Sequence, residues 1–374
     1  MKVLHVYRTY FPDTQGGAEE VVRQICRNTK GLGIESRVFY PSSNPYPACI
    51  DAEEAQLIRV KKNFEIASCG FCLGGIGEFQ NQVDWADIVH YHFPWPFADF
   101  MHLVTNVRRP SIVTYHSDIV RQRFLGALYE PLMKQFLGSM KRIVATSQNY
   151  VNSSNTLASH RDRVSVVPIG IDESSYPTPT KADLKRVGEV HGRDFFLFVG
   201  VWRYYKGLEF LLKAMKNKPY QAVIVGAGPE ENHVRRLVSE LGLENVSMTG
   251  YVDDITKMSL LKLCRAFVLP SHLRSEAFGV TLLESAMSGK PMISTEIGTG
   301  TSFINKDGET GFVVEPGEPA ALAKAMDDLS ERPEETTKMG VNARLRFEST
   351  FTGKLMGEKY AATYRSLMDG DNAA

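Results

Sequence analysis

Short apolar runs alternate with longer amphipathic segments along the first half of the chain. The runs are rich in β-branched residues and predict strands at 3–7, 36–40, 88–91, 111–115, 142–146 and 164–167. Residues 18–30 predict a helix, because Val21, Val22 and Ile25 share one face and Gly31 follows as a stop signal. The spacing leaves no place for hairpin turns between these strands, so we expect crossover helices and a parallel, doubly wound sheet.

The same alternation begins again after a turn-rich stretch at residues 170–180, which has the composition of a linker. Strands are predicted at 195–199, 221–225, 246–249, 266–270 and 291–294, and helices at 207–215, 230–241, 255–262, 281–288 and 320–329. Residues 343–367 predict one or two amphipathic helices, and residues 369–374 a frayed end.

The predicted fold class is therefore α/β, with two Rossmann-like, doubly wound domains that face each other across a cleft. We place the N-terminal domain at 1–176 and the C-terminal domain at 177–374. The C-terminal helix, about 355–370, is a candidate to pack back on the first domain. Since ligands of open parallel sheets bind at the carboxyl ends of the strands, we expect a ligand in the cleft.

Composition and charge exclude several classes of function. The 374 residues carry 43 lysines and arginines against 43 aspartates and glutamates, and this balance argues against a dedicated nucleic-acid binder. The N-terminus lacks the apolar run of a signal peptide, and no run approaches the ~20 residues that cross a bilayer. We therefore expect a cytoplasmic protein with mostly free thiols. Cys69 and Cys72 stand alone without a second zinc-finger pair, so a structural role is favoured for them.

Two carboxylates eight residues apart, Glu276 and Glu284, are the first candidates for ligand binding. The first lies in a predicted loop and the second in the following helix, with Gly279 at the helix entry. A helix N-terminus suits a phosphate, whereas carboxylates accept hydrogen bonds from sugar hydroxyls. The pattern indicates a phosphorylated sugar. The alternative is a solvated helix with two surface glutamates.

Two cations, Arg203 and Lys206, follow the strand predicted at 195–199, where a ligand is expected. An arginine fork and a lysine point charge suit a diphosphate, so we expect cations to face phosphate and carboxylates to face hydroxyls. A surface pair is the alternative. In the first domain, Gly16 and Gly17 form the first strand-to-helix turn and let the backbone approach a ligand closely.

Three histidines, His90, His92 and His116, fall at the ends of strands predicted in the first domain, and Trp95 follows close behind. A lone histidine is more often a packed side chain than a catalyst, but three toward one cleft favour a functional role. No Asp-x-Asp sequence stands beside a strand as a divalent-metal clamp, so a metal-free site is favoured.

Residues 115–142 form a locally basic segment with interspersed apolar positions. Its basic residues are Arg121, Arg123, Lys134, Lys141 and Arg142, and its apolar residues include Phe124, Leu125, Leu128, Leu132, Phe136 and Leu137. We favour a core helix with a solvated basic face. The alternative is peripheral contact with the anionic inner face of the plasma membrane.

Taken together, these motifs resemble the family-four glycosyltransferases of the GT-B fold over essentially the full chain. The resemblance rests on Glu276, Glu284, Arg203, Lys206, Gly16, Gly17, His116 and residues 168–172. Within that family, residues 201–206 and 297–302 are similar to bacterial mannosyltransferases of O-antigen and exopolysaccharide assembly. The resemblance implies retaining transfer from a nucleotide sugar, with no cofactor and no obligatory metal.

The resemblance also implies roles for individual residues. Glu276 would hold the hydroxyls of the donor sugar, Glu284 the ribose, and Arg203 with Lys206 the leaving diphosphate. His116 would hydrogen-bond the sugar near the reacting carbon. The implied catalytic residues are His116, Arg203, Lys206 and Glu276. The implied donor-binding residues are Gly16, Gly17, Arg203, Lys206, Tyr251, Val252, Glu276, Phe278, Gly279, Val280 and Glu284. The implied acceptor-side residues are His90, His92 and Trp95, and no metal ligands are implied.

The implied partners are a nucleotide-sugar donor and a glycan or lipid-linked saccharide acceptor, with no nucleic acid. GDP-mannose is our choice of donor, followed by GDP-rhamnose and UDP-sugars. A nicotinamide enzyme is disfavoured, because Glu231 occupies the third glycine position of the loop at 225–231. A sugar-nucleotide epimerase and a two-domain solute-binding protein remain alternatives. Mixing a nucleotide sugar with a glycan acceptor separates the three.

Overall fold

A computed structural model describes residues 1–66, 69–119 and 123–371, and gives side chains except those of 123–128 and 370–371. The chain forms two compact units. Unit 1 comprises Met1–Gly170 and Gly353–Ala374, and unit 2 comprises Ile171–Thr352. The division lies six residues before the boundary predicted at 176, and the helix predicted at about 355–370 belongs to unit 1.

Unit 1 is built on an eight-stranded sheet in the order β10-β9-β8-β7-β1-β2-β4-β3, parallel except for β3. Its strands are β1 (Lys2–Val6), β2 (Glu35–Ser42), β3 (Cys49–Asp51), β4 (Gln56–Lys61), β7 (Ile88–Phe93), β8 (Ser111–Tyr115), β9 (Arg142–Ala145) and β10 (Val164–Val166), and β5 (Phe64–Ile66) and β6 (Cys69–Phe71) form a separate hairpin. The central strands β7 and β8 are buried throughout, because a parallel sheet of this kind carries helices on both faces.

The helices of unit 1 include two that pack together from opposite ends of the chain. They are α1 (Gly17–Lys30), α2 (Ile76–Trp85), α3 (Pro96–Val104), α4 (Arg123–Ser139), α5 (Gln148–Ser153), α6 (Asn155–Ala158) and α15 (Gly353–Asp371). Helix α15 lies against α1, and its residue Gly357 comes so close that a Cβ would stand 2.5 Å from the carbonyl oxygen of Asn28. Tyr360 and Tyr364 of α15 are buried in the unit 1 core.

Unit 2 is a six-stranded parallel sheet in the order β13-β12-β11-β14-β15-β16, the doubly wound arrangement of a Rossmann-like domain. Its strands are β11 (Phe196–Val199), β12 (Ala222–Val225), β13 (Val246–Gly250), β14 (Ala266–Leu269), β15 (Met292–Thr295) and β16 (Gly311–Val314). Its helices are α7 (Lys181–His191), α8 (Leu208–Ala214), α9 (Glu231–Glu240), α10 (Asp254–Leu263), α11 (Val280–Met287), α12 (Gly300–Ile304), α13 (Pro319–Glu331) and α14 (Pro333–Thr350).

The predicted linker at 170–180 begins at the division between the units, and residues 171–180 are an ordered part of unit 2. The backbone N–H of Ile171 donates to the carbonyl of Phe351 (3.0 Å), and Arg344 binds both carboxylate oxygens of Glu173. Thr180 then caps α7 through a reciprocal capping box. Turn-forming residues here build caps and short turns, and these have the same composition as a linker.

The basic segment 115–142 contains α4. Among the described side chains, Phe136 and Leu137 are fully buried and Lys134 pairs with Glu130 at 2.7 Å, as expected of a core helix with a solvated face. Arg121 and the side chains of Arg123, Phe124, Leu125 and Leu128 lie outside the described residues. In the described part of the chain, no helix combines the length and the apolar character that a membrane span requires.

Candidate active site

The sheet of unit 2 has a topological switch point between β11 and β14, from which the strand order runs outward in both directions. The loops that follow these two strands carry Arg203 with Lys206 and Ser271 with Glu276. Ligands of open α/β sheets bind at the carboxyl ends of strands at such a point. The predicted cationic loop and the first predicted carboxylate therefore share the favoured position in this unit.

The loop after β11 is held at both ends. Trp202 is fully buried, and its backbone N–H donates to the carbonyl of Ala227 at 3.0 Å. Gly207 has a φ of +68°, and a Cβ there would stand 2.0 Å from the carbonyl oxygen of Pro270. Only glycine tolerates that position, so the loop presents Lys206 from a fixed backbone.

Lys206 and Glu276 form a buried ion pair. The Lys206 ammonium donates to Glu276 Oε2, and the hydroxyl of Ser271 donates to the same oxygen at 3.1 Å. The two charged side chains are only 12% and 10% exposed. Burial opposes the charged form of Lys206, but the Glu276 carboxylate, together with Tyr205, outweighs it and raises the pKa of Lys206. Lys206 therefore keeps its charge at neutral pH, and both side chains are held in place.

A second buried pair joins Glu284 to a lysine that the sequence did not single out. Glu284 lies on α11, and Lys257 of α10 donates to its Oε1 at 2.9 Å and to Asp254 at 3.1 Å. The Lys257 ammonium also stands 5.2 Å from the ring centroid of Tyr176. Burial acts against the charge of Lys257, but the two carboxylates raise its pKa to about 12.

In both pairs a predicted carboxylate contacts a lysine directly, which the sequence did not predict. Each carboxylate is paired in this way because a buried charge without a partner is costly. A ligand that bonds Glu276 or Lys206 must therefore exchange partners with an existing ion pair.

The N-terminus of α11 lies between the two carboxylates in sequence and has no side-chain cap. Gly279 occupies the capping position with a φ of +90°. The preceding residue, Phe278, is buried against Gly300 of α12, and the Thr299 hydroxyl donates to the Glu276 carbonyl at 2.8 Å. Phe278, Gly279 and Val280 remain predicted donor-binding residues. Because the side chain of Phe278 is buried, Phe278 can offer a donor only its backbone groups.

The other predicted donor-binding residues of unit 2 are exposed or lie farther along the sheet. Arg203 is exposed at the start of the 3₁₀ turn Tyr204–Lys206. Tyr251 is 78% exposed and, with Val252, follows β13, two strands away from β11. The structure brings Lys206 together with Glu276, but it leaves Tyr251 and Val252 at the edge of the sheet.

Gly16 and Gly17 begin α1 in unit 1. Gly16 is the capping residue, with no side-chain cap, and a Cβ there would stand 2.6 Å from Glu19 Oε2. The Glu19 carboxylate accepts hydrogen bonds from the hydroxyls of Thr9 and Thr14, both at 2.9 Å. The carboxylate occupies the space beside Gly16, so the first turn of α1 already has an anion close to it.

Two of the predicted histidines of unit 1, His92 and His116, form a buried hydrogen-bonded chain with a further histidine, His5, and the third, His90, stacks on it. The Nδ1 atom of His92 lies 3.0 Å from Nε2 of His116, and its Nε2 atom lies 3.1 Å from Nδ1 of His5. His90 stacks on His92 with ring centroids 4.4 Å apart, and bonds Tyr364 and Thr114 at 2.7 Å each.

Burial keeps these four rings neutral. It lowers the pKa of His5 to about 3, and it lowers the pKa of His116 to about 4 with a smaller contribution from the charge of Arg8. The pKa values of His90 and His92 are lowered well below the ordinary value for the same reason.

The prediction that His90, His92 and Trp95 face an acceptor is wrong. All three are at most 1% exposed. Both ring nitrogens of His90 and of His92 already have partners in unit 1, and the Trp95 indole N–H donates to the Gly70 carbonyl at 2.9 Å. His90 and His92 lie inside β7, two residues apart on one face of the sheet, and helix α15 covers that face.

His5, His90 and His92 are also close enough to be considered as metal ligands, with one nitrogen of each within 4.8 Å of the others. Hydrogen bonds engage both ring nitrogens of His90 and of His92, whereas a metal ligand must offer a free lone pair. This donor set therefore fits a hydrogen-bonded cluster better than a cation site.

Sequence reasoning missed Lys257, Ser271 and His5. Lys257 stands three residues after Asp254 on a helix, which is typical of a surface pair. His5 stands 87 residues from its partner His92. The one usable signal was for Ser271, which follows a predicted strand directly at its carboxyl end.

Comparison with known proteins places this site in context. Residues 15–175 match the family model described as Glycosyltransferase Family 4, and residues 180–346 match the one described as Glycosyl transferases group 1. The chain is 49% identical to the D-rhamnosyltransferase WbpZ of Pseudomonas aeruginosa, over 94% of this chain and 92% of that protein. It is 45% identical to the O-antigen chain mannosyltransferase C of Escherichia coli, over 99% of both chains.

Among solved structures, Anabaena HepE in complex with UDP matches with a TM-score of 0.81 at 19% identity, over 98% of this chain and all of that one. This likeness establishes the GT-B fold with two Rossmann-like domains and confirms the predicted fold class. Because the chain is 49% and 45% identical to these two bacterial transferases over nearly its full length, it is a glycosyltransferase and belongs to family four.

Proposed function

We propose that the protein transfers mannose from GDP-mannose, with retention of configuration, to a glycan or lipid-linked saccharide in bacterial polysaccharide synthesis. The carrying observation is the buried Lys206–Glu276 pair at the switch point of unit 2. GDP-rhamnose is the second candidate donor, because the relative in Pseudomonas aeruginosa is named a D-rhamnosyltransferase. UDP-sugars follow. A glycan acceptor is supported by the name of the second relative, an O-antigen chain mannosyltransferase, and we also propose a cytoplasmic location.

The proposed chemistry needs an anion-stabilising group beside a hydroxyl-binding group. Breaking the anomeric bond builds negative charge on the departing diphosphate, and a well-aimed donor is often worth ~3 kcal/mol there. Lys206 is the cation proposed for this role, helped by Arg203 and the uncapped N-terminus of α11. Glu276 then accepts hydrogen bonds from the sugar hydroxyls.

Partner exchange explains why the lysine and the carboxylate are paired before the donor binds. Each charge compensates the other in a site that is nearly dry. When the diphosphate binds Lys206, Glu276 is released toward the sugar, so that both side chains are already in position. Substrate geometry and two fixed charges then suffice, and we propose that no metal ion is required.

Glu284 is proposed to hold the ribose, and Lys257 to hold Glu284. Replacing Lys257 with Met should weaken GDP binding about tenfold with little effect on kcat, because a displaced carboxylate loses the ribose hydroxyls. Lys213→Met removes a surface lysine that is 45% exposed and paired with Glu209, and serves as the matched control. Calorimetric titration with GDP measures the effect, and equal Kd values for the two variants would exclude this role of Lys257.

The roles of Gly17 at the diphosphate and His116 at the sugar remain predictions. A mixing experiment tests the reaction class: each of GDP-mannose, GDP-rhamnose and UDP-glucose is incubated with a saccharide acceptor and followed by mass spectrometry. We expect one hexose added to the acceptor with GDP-mannose. An isomerised donor would indicate an epimerase, and an unchanged donor a binding protein.

A further inference from the structure

His5, His92 and His116 lie along a diagonal across the sheet of unit 1. In the parallel register, His5 on β1 stands opposite His90 on β7, and His92 stands opposite Thr114 on β8. Each step to the next strand therefore advances two residues, from His5 to His92 and then to His116. Since side chains two residues apart share a face, all three rings lie on one face and lead to the carboxyl edge of the sheet.

The three rings form a chain in which donation has a single direction. All three are neutral at pH 7, so each carries one N–H and one lone pair. His92 uses both nitrogens within the chain. If His92 accepts from His5, it must donate to His116, and if it accepts from His116, it must donate to His5.

The far end of the chain selects the direction. Nε2 of His5 is buried and has no hydrogen-bond partner among the described residues. If His116 were the first donor, this nitrogen would carry an N–H with no acceptor, and buried N–H groups of that kind are rare. Donation that starts at Nδ1 of His5 leaves only a lone pair there. His92 then donates from Nδ1 to Nε2 of His116.

We propose that His92 and His5 are positioning residues of the transfer reaction: they fix the tautomer of His116 so that its Nδ1 carries the proton and donates to an oxygen of the bound sugar. This proposal rests on the role proposed for His116. The ring of His116 uses Nε2 inside the chain and keeps Nδ1 outside it. The same tautomer prevents His116 from acting as a base at Nδ1.

The surroundings hold the chain in this state. His90 stacks on His92, and both of its ring nitrogens hydrogen-bond to Tyr364 and Thr114. It therefore does not hydrogen-bond to the three histidines of the chain. Tyr360 of α15 hydrogen-bonds Thr114 at 2.8 Å and completes the cover. Buried hydrogen-bonded networks of this kind favour one arrangement of their members.

The first test is read on the wild-type protein, and a variant serves only to assign its signals. Two-bond 1H–15N correlation of ¹⁵N-histidine-labelled protein at pH 7 distinguishes protonated from bare ring nitrogens. Signals of His116 are identified by their loss in His116→Asn. We expect His116 with a protonated Nδ1 and a bare Nε2. A protonated Nε2, a charged ring, or ring nitrogens of His5 and His92 that shift on addition of Zn²⁺ would each overturn the proposal.

The second test compares His92→Leu with His102→Leu. His102 is also buried in unit 1, with both nitrogens bonded at 2.9 Å to Tyr91 and Ser139, so it matches the loss of packing and hydrogen bonds. We expect His92→Leu to lower kcat at least tenfold with the donor KM within about twofold, and His102→Leu to keep the wild-type kcat. His92→Asn, whose amide can donate to His116, should recover most of the rate.

A double-mutant cycle separates the role of His116 at the sugar from the positioning role of His92. If His92 acts through His116, then His116→Leu lowers kcat by a much smaller factor in the His92→Leu background than in wild type. Full transfer by His116→Leu alone would reject the proposed role of His116. An inactive His116→Leu together with equal kcat for His92→Leu and His102→Leu would reject the positioning role only.

Discussion

Glu276→Gln should lower the rate of sugar transfer about 100-fold or more while leaving GDP affinity within about threefold. Glutamine keeps an oxygen that can accept from Lys206 and Ser271, so the local geometry should persist. It loses the charge that polarises sugar hydroxyls as positive charge develops on the ring, and such fixed electrostatic contacts typically contribute factors of this size. Initial rates of transfer and calorimetric titration with GDP measure the two quantities.

Glu209→Gln is the matched control for this substitution. Glu209 lies on α8 of the same unit, is 38% exposed and pairs with Lys213 at 3.5 Å. An exposed pair of this kind contributes little to stability, so we expect wild-type transfer and GDP affinity. Near-wild-type transfer by Glu276→Gln would remove Glu276 from the reacting centre.

Acidification from pH 7 to pH 5 should destabilise unit 1 by several kcal/mol. Five buried histidines have pKa values below the ordinary 6.5, mainly because of burial. The residues are His5, His90, His92, His102 and His116, and the pKa values of His102 and His116 are about 4. Unfolded histidines take up protons below pH 6.5, whereas the folded ones do so only at lower pH, near 4 for His102 and His116.

The sign of the effect follows from that difference in bound protons. Between pH 6.5 and the lowered pKa of each folded histidine the unfolded state binds more protons, so stability falls with falling pH, by up to about 1.4 kcal/mol per pH unit for each such histidine. Asp99 acts in the opposite sense, because burial raises its pKa and the folded state takes up its proton first. Because five histidines act against one carboxyl group, the net effect of falling pH is still a loss of stability.

Hydrogen exchange read by mass spectrometry tests this effect with an internal control. Exchange rates are first corrected for the intrinsic dependence on pH. We expect protection of β7 and β8 to fall strongly between pH 7 and pH 5, and protection of β11 and β14 to change much less. Equal protection of β7 and β8 at the two pH values would show that the cluster is already charged, or is open to water, at neutral pH.

The sequence was sufficient for the main architecture and for half of the candidate site. Buried parallel strands produce continuous apolar runs, so the central strands of both sheets were predictable. Lys206 and Glu276 were predictable because each follows a strand at its carboxyl end. The short hairpin of β5 and β6 was missed, since three-residue strands carry no usable periodicity.

The remaining half of the site depends on contacts between distant positions. Lys257 pairs with Glu284 across two helices, and His5 reaches His92 through strand register. Neither partner shows in a local pattern. The predicted acceptor role of His92 failed for a related reason: its sequence neighbours suggested a strand end, whereas strand β7 continues to Phe93 and buries the ring.

The stereochemistry of the product tests the central claim most directly. Incubation with GDP-α-D-mannose and a saccharide acceptor, followed by measurement of the one-bond 13C–1H coupling at the new anomeric centre, identifies the linkage formed. Retaining transfer predicts an α-mannoside released together with GDP. A β-mannoside, or a donor left unchanged in the presence of acceptor, would contradict the account.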